Sequence, residues 1–191
     1  MNKDITSYAK VYKNFLDREI CLQTIEQTKS VNFQQHTFYN HSTGENIPKS
    51  GNQELESFTD LYADVSNSKI IVDKLWHAIK KYTLDVDIPS FNTWEGYSAI
   101  RYNRYFEGKK MALHNDHIKS LFTGRDRGIP ILSCLGLLND DYTGGEFIMF
   151  GDEVIDLRQG DLLIFPSIFL YPHMVRPVKS GIRYSYISWV W

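Results

Sequence analysis

The second half of the chain alternates between apolar and polar residues, and clusters of turn residues separate the alternating runs. Alternation with a period of two predicts half-buried β-strands, and Gly, Asn and Asp clusters predict the turns between them. Many short strands joined by short turns favour a sandwich or jelly roll over a parallel α/β sheet. The predicted strands cover residues 94–104, 129–138, 146–150, 153–157, 161–165 and 183–191.

The first half carries two helical patterns and one long polar segment. Residues 9–16 predict a short strand, and Asp17 is the predicted N-cap of a helix that ends near residue 28. A longer helix follows a cap at one of residues 66–68, because its apolar residues recur at helical spacing. Residues 30–57 are polar and rich in turn residues, which predicts a long loop or a loose hairpin.

These patterns predict a mainly β fold with flanking helices around a jelly-roll core, the double-stranded β-helix. We expect one domain over residues 1–191, since a chain of this size buries roughly 70% of its unfolded surface. Residues 1–90 are the expected N-terminal support, with the helices and the loop region. Residues 91–191 are the expected jelly-roll core, which also holds the candidate chemistry described below.

Composition and charge narrow the possible partners. The net charge of -2 gives no global basic field, so nucleic acid is a disfavoured partner. Cys21 and Cys134 have neither the spacing of a zinc site nor that of a disulfide framework. No apolar run approaches the 18 residues of a membrane span, and no signal-like stretch follows Met1. We therefore expect a cytoplasmic protein with no membrane partner.

The candidate chemistry begins at His114-Asn115-Asp116. In an extended strand, side chains at i and i+2 share a face, so His114 and Asp116 are predicted to project together. A distant histidine on a neighbouring strand, His173, would complete two imidazoles and one carboxylate around a metal. That ligand set leaves coordination positions open and suits non-haem Fe(II) oxygenases.

A second candidate site lies on the last predicted strand. Arg183 and Ser185 share one face by the same periodicity, and together they could hold a buried carboxylate. A buried carboxylate requires such a partner, because an unpaired one costs several kcal/mol. On spacing alone, a surface arginine on an edge strand fits Arg183 equally well.

Several motifs in order resemble the 2-oxoglutarate/Fe(II)-dependent dioxygenase superfamily, in its prolyl 4-hydroxylase-like branch. The similarity covers residues 97–191, about half of the chain. The motifs are Arg104-Tyr105-Phe106-Glu107-Gly108, His114-Asn115-Asp116, Gly144-Gly145-Glu146, Gly160-Asp161-Leu162-Leu163-Ile164-Phe165, His173 with the Arg-Pro-Val that follows it, Gly181-Ile182-Arg183-Tyr184, and Trp189.

The resemblance implies a role for each matching residue. It makes His114, Asp116 and His173 the iron ligands. It assigns the far carboxylate of 2-oxoglutarate to Arg183, where this branch usually has lysine. The resemblance also implies co-substrate contacts for Tyr105 and Ser133 and a place in the pocket near the metal for Trp189. It gives Gly144 and Gly145 a structural role in the turn.

Two positions refine what the resemblance implies. Met111 stands three residues before the first ligand, where peptidyl-proline hydroxylases tend to have an aromatic residue, and we expect it in the substrate pocket. Asp116 argues against a halogenase, since those enzymes replace the carboxylate with a small residue. His117 would face away from His114 in a strand, so a surface or substrate-side position is expected for it.

The implied activity is hydroxylation of an unactivated C–H bond with Fe(II), 2-oxoglutarate as co-substrate and O2, with ascorbate as a further candidate. A prolyl residue in a peptide is the first substrate hypothesis, and a free amino acid or other small molecule is the second. Nucleic-acid demethylation is disfavoured, because no basic residue follows Arg183. A non-catalytic jelly-roll binding protein is the remaining alternative.

Overall fold

The computed structural model describes residues 4–40, 42–49, 51–87, 94, 96–116 and 130–191. Within these ranges the chain forms two α-helices, α1 (Arg18–Thr28) and α2 (Asn67–Val86), and two short 3-10 helices, Ile5–Tyr8 and Gly51–Gln53. The strands in the same ranges are β1 (Lys10–Tyr12), β2 (Gln34–Gln35), β3 (Phe38–Asn40), β4 (Glu45–Ile47), β5 (Glu56–Asp60), β6 (Ile100–Tyr105), β7 (Met111–His114), β8 (Leu132–Leu137), β9 (Thr143–Gly144), β10 (Phe147–Met149), β11 (Glu153–Val154), β12 (Leu162–Pro166), β13 (His173–Val175), β14 (Val178–Ser180) and β15 (Arg183–Val190).

Two antiparallel sheets form the body of the described protein. The major sheet has the order β1-β12-β8-β15-β6-β5-β2, and the minor sheet has the order β11-β10-β13-β7. Two further strand pairs, β14-β9 and β3-β4, lie outside these sheets. Apart from β10 and β11, the neighbours in the two sheets are remote in sequence, as in a jelly roll. The predicted mainly β fold with flanking helices and a jelly-roll core is confirmed.

Alternation along the central strand β15 separates two apolar cores. Tyr186 and Val190 belong to the outer core, between the major sheet and the helices. Ile187 and Trp189 belong to the inner core, which the minor sheet also lines through Phe147. Because successive side chains point to opposite faces, one strand serves both cores. The described molecule therefore has three layers: helices, major sheet and minor sheet.

The N-terminus of α2 is held by a carboxylate from β5. Ser66 occupies the N-cap position, as predicted for one of residues 66–68, but its side chain makes no capping hydrogen bond. Asp60 instead accepts hydrogen bonds from the backbone N–H groups of Ala63 and Asp64. Asp60 also accepts from the hydroxyl of Ser68, inside the helix. The helix is thus anchored to the sheet that it covers.

The predicted elements differ from the observed ones mainly in strand length. The predicted strand 94–104 corresponds to β6 (Ile100–Tyr105) of the major sheet. Among the described residues, β6 begins later than predicted and ends one residue further on. Strands were expected around His114 and His173, but the bounds of the short strands β7, β13 and β14 were not predicted, since three or four residues are too few to show an alternation. Segment 30–57 contains the expected hairpin, β3 with β4, but it also contributes β2 and β5 to the major sheet.

The described helices include none with the length and apolar character needed to cross a membrane. The longest, α2, has an exposed face that carries lysines 69, 80 and 81.

Gly136 in the middle of β8 provides a test of the outer core. A Cβ atom at this position would lie 2.1 Å from Cζ of Tyr186 on the neighbouring strand. We expect Gly136→Ala to lower the free energy of unfolding by at least about 1–3 kcal/mol, because overpacking moves the ring and the backbone. Thermal or urea denaturation measures the change. The same substitution in a Tyr186→Ala background should cost far less, and an equal cost in both backgrounds would contradict the proposed clash.

Candidate metal centre

Two histidines from neighbouring strands of the minor sheet meet at one point. His114 ends β7 and pairs directly with His173, which begins β13. The Nδ1 atom of His114 lies 2.8 Å from the carbonyl oxygen of Ala112, and that of His173 lies 3.1 Å from the carbonyl oxygen of Tyr171. These contacts favour a proton on each Nδ1, so both Nε2 atoms are left as free electron-pair donors.

The carboxylate of Asp116 completes the cluster. Its Oδ1 atom lies 3.3 Å from Nε2 of His114 and 3.6 Å from Nε2 of His173. One donor atom from each of the three residues lies within 4.8 Å of the other two. The geometry differs from the predicted one, because β7 ends at His114 and Asp116 occupies a bend beyond the strand. Asp116 reaches the cluster through this bend rather than through strand periodicity.

A β-bulge orients the first histidine. Met111 and His114 pair with Val175 and His173, so three residue steps on β7 match two on β13. The extra residue changes the period-2 alternation, and both Met111 and His114 therefore face the interior. Met111 is 5% exposed and belongs to the inner core.

The Asp116 carboxylate is held by one hydroxyl group from the major sheet. Ser133 on β8 donates a hydrogen bond of 2.7 Å to Oδ2 of Asp116. The Ser133 hydroxyl also lies 2.8 Å from the hydroxyl of Ser167. The co-substrate contact that the resemblance implies for Ser133 stays a prediction; within the described protein its hydroxyl contacts the metal-ligand candidate Asp116. With Oδ2 held in this way, Oδ1 is directed towards the two imidazoles.

The electrostatics of the cluster suit a divalent cation. Burial raises the pKa of Asp116, but His173, His114 and the Ser133 hydroxyl together hold it well below its usual range. Burial and the neighbouring His114 lower the pKa of His173 to about 4. At neutral pH the site therefore presents a charged carboxylate beside a neutral imidazole at His173. Both are the protonation states that bind metal.

Aromatic rings surround the histidines. The ring of Phe147 stacks on His173 with 5.2 Å between centroids, and Phe165 meets the same imidazole edge-on at 5.1 Å. Phe38, from the β3–β4 hairpin, lies 5.4 Å from the ring of His114. Through Phe38, the β3–β4 hairpin thus lies directly against the metal cluster. These rings limit the access of water to the donor atoms.

The predicted carboxylate anchor is buried at the other end of the same interior. Arg183 is 1% exposed, which excludes the alternative of a surface arginine. It donates a hydrogen bond of 2.9 Å to the hydroxyl of Ser185, and its guanidinium stands 4.9 Å from the centroid of Tyr105. Its Nε atom is buried and has no hydrogen-bond partner within the described chain. An anion with two oxygens would satisfy this donor.

Gly145 allows the Arg183 side chain to lie where it does. Its φ of +65° favours glycine, and a Cβ atom here would approach Cδ of Arg183 to 3.1 Å. Gly144 also has a positive φ, and a side chain at Gly144 would meet the backbone of residue 177. Both glycines are therefore structural, in line with their predicted role in the turn.

Two further polar residues that the sequence patterns did not identify lie near the cluster. Arg101 on β6 stands over the ring of Trp189, with Cζ 4.8 Å from the ring centroid. His36 is buried beside Phe38, at 4.7 Å between ring centroids. Burial and the charge of Arg101 lower the pKa of His36 to about 2. His36 is therefore neutral at physiological pH.

The remaining predicted residues have distinct positions. Trp189 is 7% exposed in the inner core, and its Nε1 atom is buried without a partner in the described residues. Tyr105 faces the same interior next to Arg183, where burial raises the pKa of its hydroxyl. His117 lies outside the described residues.

Comparisons with known proteins show what this chain is similar to. Residues 100–191 match the model of the 2OG-Fe(II) oxygenase superfamily. A PKHD-type hydroxylase of Xylella fastidiosa is 39% identical over 100 residues, which cover 47% of this chain and 43% of the relative. The chain therefore matches less than half the length of this relative.

Two solved structures share the fold. A prolyl hydroxylase of Trichoplax adhaerens, in complex with a hypoxia inducible factor peptide fragment, superposes with a TM-score of 0.68 at 18% identity, covering 97% of this chain and 84% of that one. The viral collagen prolyl hydroxylase of Paramecium bursaria Chlorella virus-1 gives a TM-score of 0.65 at 15% identity, with 96% and 94% covered. The resemblance to the 2-oxoglutarate/Fe(II) dioxygenase superfamily, in its prolyl 4-hydroxylase-like branch, is confirmed.

Proposed function

We propose, starting from the match of residues 100–191 to the 2OG-Fe(II) oxygenase superfamily, that the protein is an Fe(II)- and 2-oxoglutarate-dependent hydroxylase. The observation that supports this most strongly is the convergence of His114, Asp116 and His173 on one point. Two imidazole nitrogens and one carboxylate on one face are the donor set of non-haem Fe(II) oxygenases.

The residues of the cluster fit an iron(II) ion as its protein ligands. His114 and His173 would each bind through Nε2, since their Nδ1 atoms are occupied by backbone carbonyls. Asp116 would bind through Oδ1, while Ser133 holds the other oxygen. Fixing each ligand through its second polar atom sets its orientation before the metal binds.

The Arg183 site fits the far carboxylate of 2-oxoglutarate. Its buried guanidinium has an unsatisfied Nε donor, and Ser185 and Tyr105 lie beside it as further hydrogen-bonding groups. A diacid held at one end by Arg183 would extend its other end towards the histidines along the inner core. Arg183, Ser185 and Tyr105 are therefore the proposed co-substrate residues.

The bound iron and 2-oxoglutarate would activate O2 for insertion of one oxygen atom into a substrate C–H bond, with succinate and CO2 as the other products. The protein's own residues bind and orient these groups. Phe147, Phe165 and Phe38 exclude water around the metal. Ascorbate enters the proposal only as a reductant that would keep iron ferrous.

A prolyl residue in a peptide remains a candidate substrate, because the structural neighbours are named as prolyl hydroxylases. A free small molecule is the second candidate, and Arg101 is the observation that favours it.

We also propose that residues 1–191 form a single domain, since the inner core joins Leu55 from the first half to strands of the second half. A non-catalytic binding protein is disfavoured, because such a domain would have no need of both the complete cluster and Arg183.

The experiment that tests the proposed function is succinate release from 2-oxoglutarate. We expect release that requires added Fe(II) and O2 and that stops with a chelator. The control is the same protein with Zn(II), which suits the same ligands but has no redox chemistry. Equal succinate release with and without Fe(II) would contradict the proposal.

Ser133 offers a test of how the carboxylate is positioned. We expect Ser133→Ala to weaken Fe(II) binding about 10-fold, since Asp116 would lose the hydrogen bond that orients it. Metal titration under anaerobic conditions measures the change. Ser188→Ala is the matched control, because Ser188 is equally buried on β15 but its hydroxyl donates to the carbonyl of Ser98. Equal metal affinity of the two variants would contradict the role of Ser133.

A further inference from the structure

Arg101 carries a positive charge into the interior of the protein on the metal side. β6 alternates, so Ile100 and Tyr102 pack in the outer core while Arg101 and Tyr105 face inwards. The guanidinium of Arg101 lies 4.8 Å from the ring of Trp189. Burial lowers the pKa of Arg101, and the negative charge of Asp116 opposes this lowering. The two charges therefore lie within electrostatic range of each other.

Arg101 and Arg183 occupy two different levels of the interior. In the major sheet Arg183 pairs with Tyr105, four residues along β6 from Arg101. At the usual rise per residue, their backbone positions are about 13 Å apart along the strand direction. The two guanidinium groups also stand over different rings, Trp189 and Tyr105. Arg101 is therefore too far along the strand to share the carboxylate that Arg183 would anchor.

The charge of Arg101 is unbalanced within the described protein. Its Nε atom is buried without a hydrogen-bond partner, and none of the ion pairs among described residues includes it. Arg101 is half-buried and its Nε donor is buried, so the missing acceptor costs about 1–3 kcal/mol, whereas the cation–π contact returns only about 1 kcal/mol. The Nε1 donor of Trp189 beside it is also unsatisfied. Two adjacent donors without an acceptor are typical of a site for an anionic oxygen ligand.

The charges of the whole centre specify a monoanion. Iron(II) with Asp116 has one net positive charge, and 2-oxoglutarate with Arg183 has one net negative charge. These two groups cancel, which leaves the single positive charge of Arg101. A carboxylate balances that charge, whereas a phosphate dianion would exceed it. The planar fork of an arginine also matches the two oxygens of a carboxylate.

We propose that Arg101, together with Nε1 of Trp189, binds the carboxylate of the molecule that is hydroxylated. The substrate class is then a small organic acid, such as a free amino acid, rather than a residue inside a peptide. This inference rests on the proposed function and specifies its substrate. Arg101 is a specificity-determining residue in this scheme, distinct from the residues that hold the metal and 2-oxoglutarate.

Binding measurements with matched acids and amides test the proposal. The protein loaded with Mn(II) and 2-oxoglutarate is titrated calorimetrically with L-amino acids and short aliphatic acids, each compared with its primary amide. We expect at least one acid to bind the parent about 10-fold or more tightly than its amide, the contribution of a charge-assisted hydrogen bond. Arg101→Gln should abolish that preference, and Arg101→Lys should restore part of it.

Arg104→Gln is the matched control for this experiment. Arg104 lies on the opposite face of β6 and pairs with Glu56 at 2.6 Å, so its replacement should leave the preference for acids unchanged. Arg101→Gln should also leave the melting temperature of the ligand-free protein unchanged or higher, because a half-buried charge without an ion-pair partner among the described residues is removed. A marked fall in that temperature would identify Arg101 as structural and overturn the proposal.

The remaining outcomes are equally decisive. Equal binding of every acid and its amide by the parent, including no binding of either, overturns the inference. Preferential binding of a proline peptide with blocked termini also overturns it and supports the peptide substrate. Failure of the proposed function is separate, because it appears as a parent protein that binds neither Mn(II) nor 2-oxoglutarate.

Discussion

Replacing His173 with alanine is expected to reduce Fe(II)-dependent succinate release by more than about 100-fold. The loss of a residue that merely orients a metal ligand already costs roughly 10–100-fold in affinity or activity, and His173 is itself a proposed ligand. Its Nε2 atom lies 3.6 Å from Oδ1 of Asp116, and its replacement would leave one imidazole and one carboxylate at the centre. Two ligands bind divalent iron far more weakly than three.

Metal titration and succinate measurement on the same preparations test this expectation. His77→Ala is the matched control, because His77 lies on the exposed face of α2, where its ring Nδ1 is 2.9 Å from the carbonyl oxygen of Asp73. His77→Ala should retain the metal affinity and the succinate release of the parent. Similar succinate release from His173→Ala and from the parent would refute the proposed metal centre.

Replacing Arg183 with alanine is expected to raise the 2-oxoglutarate concentration needed for half-maximal turnover by roughly 30-fold or more. Removing one partner of a buried, hydrogen-bonded charge pair costs about 2–5 kcal/mol, which corresponds to at least this factor. Fe(II) affinity in the absence of 2-oxoglutarate should stay close to that of the parent. Arg183 holds the far end of the co-substrate, and the three proposed ligands lie elsewhere.

Two further variants separate charge from position at this site. Arg183→Lys should restore part of the 2-oxoglutarate affinity, since lysine keeps the charge but lacks the planar fork. Arg158→Ala should change nothing, because that side chain is 70% exposed and pairs at the surface with Asp156. An equal loss of iron and 2-oxoglutarate affinity in Arg183→Ala would show that the two sites are not independent, and it would contradict the proposed division of roles.

The patterns along the chain predicted the parts of the fold in which one periodicity extends over many residues. The apolar stripe of α2 and the alternation of β15 are long enough to identify the element and its buried face. Strands β7 and β13 have only four and three residues, and no periodicity can be recognised over such a length. These two strands hold both histidines, so the local geometry of the candidate site was not predictable from periodicity.

The sequence of β6 shows why Arg101 was not recognised as a candidate site residue. Its sequence, Ile-Arg-Tyr-Asn-Arg-Tyr, has a polar and an aromatic residue on each face. Both faces of the strand are covered, one by the outer core and one by the inner core. Nothing in the local pattern distinguishes Arg101, which stands over the ring of Trp189 on the inner face, from Arg104, which pairs with Glu56 on the other side.

The sequence by itself determined the class of fold and the identity of the residues that meet at the centre, because both depend on residue type, order and long periodicities. Only the tertiary structure decided how these residues meet. The bend that carries Asp116, the bulge that turns His114 inwards and the choice between two arginines of β6 all depend on contacts between elements remote in sequence. Such contacts depend on the packing of the sheets and leave no periodic trace along the chain.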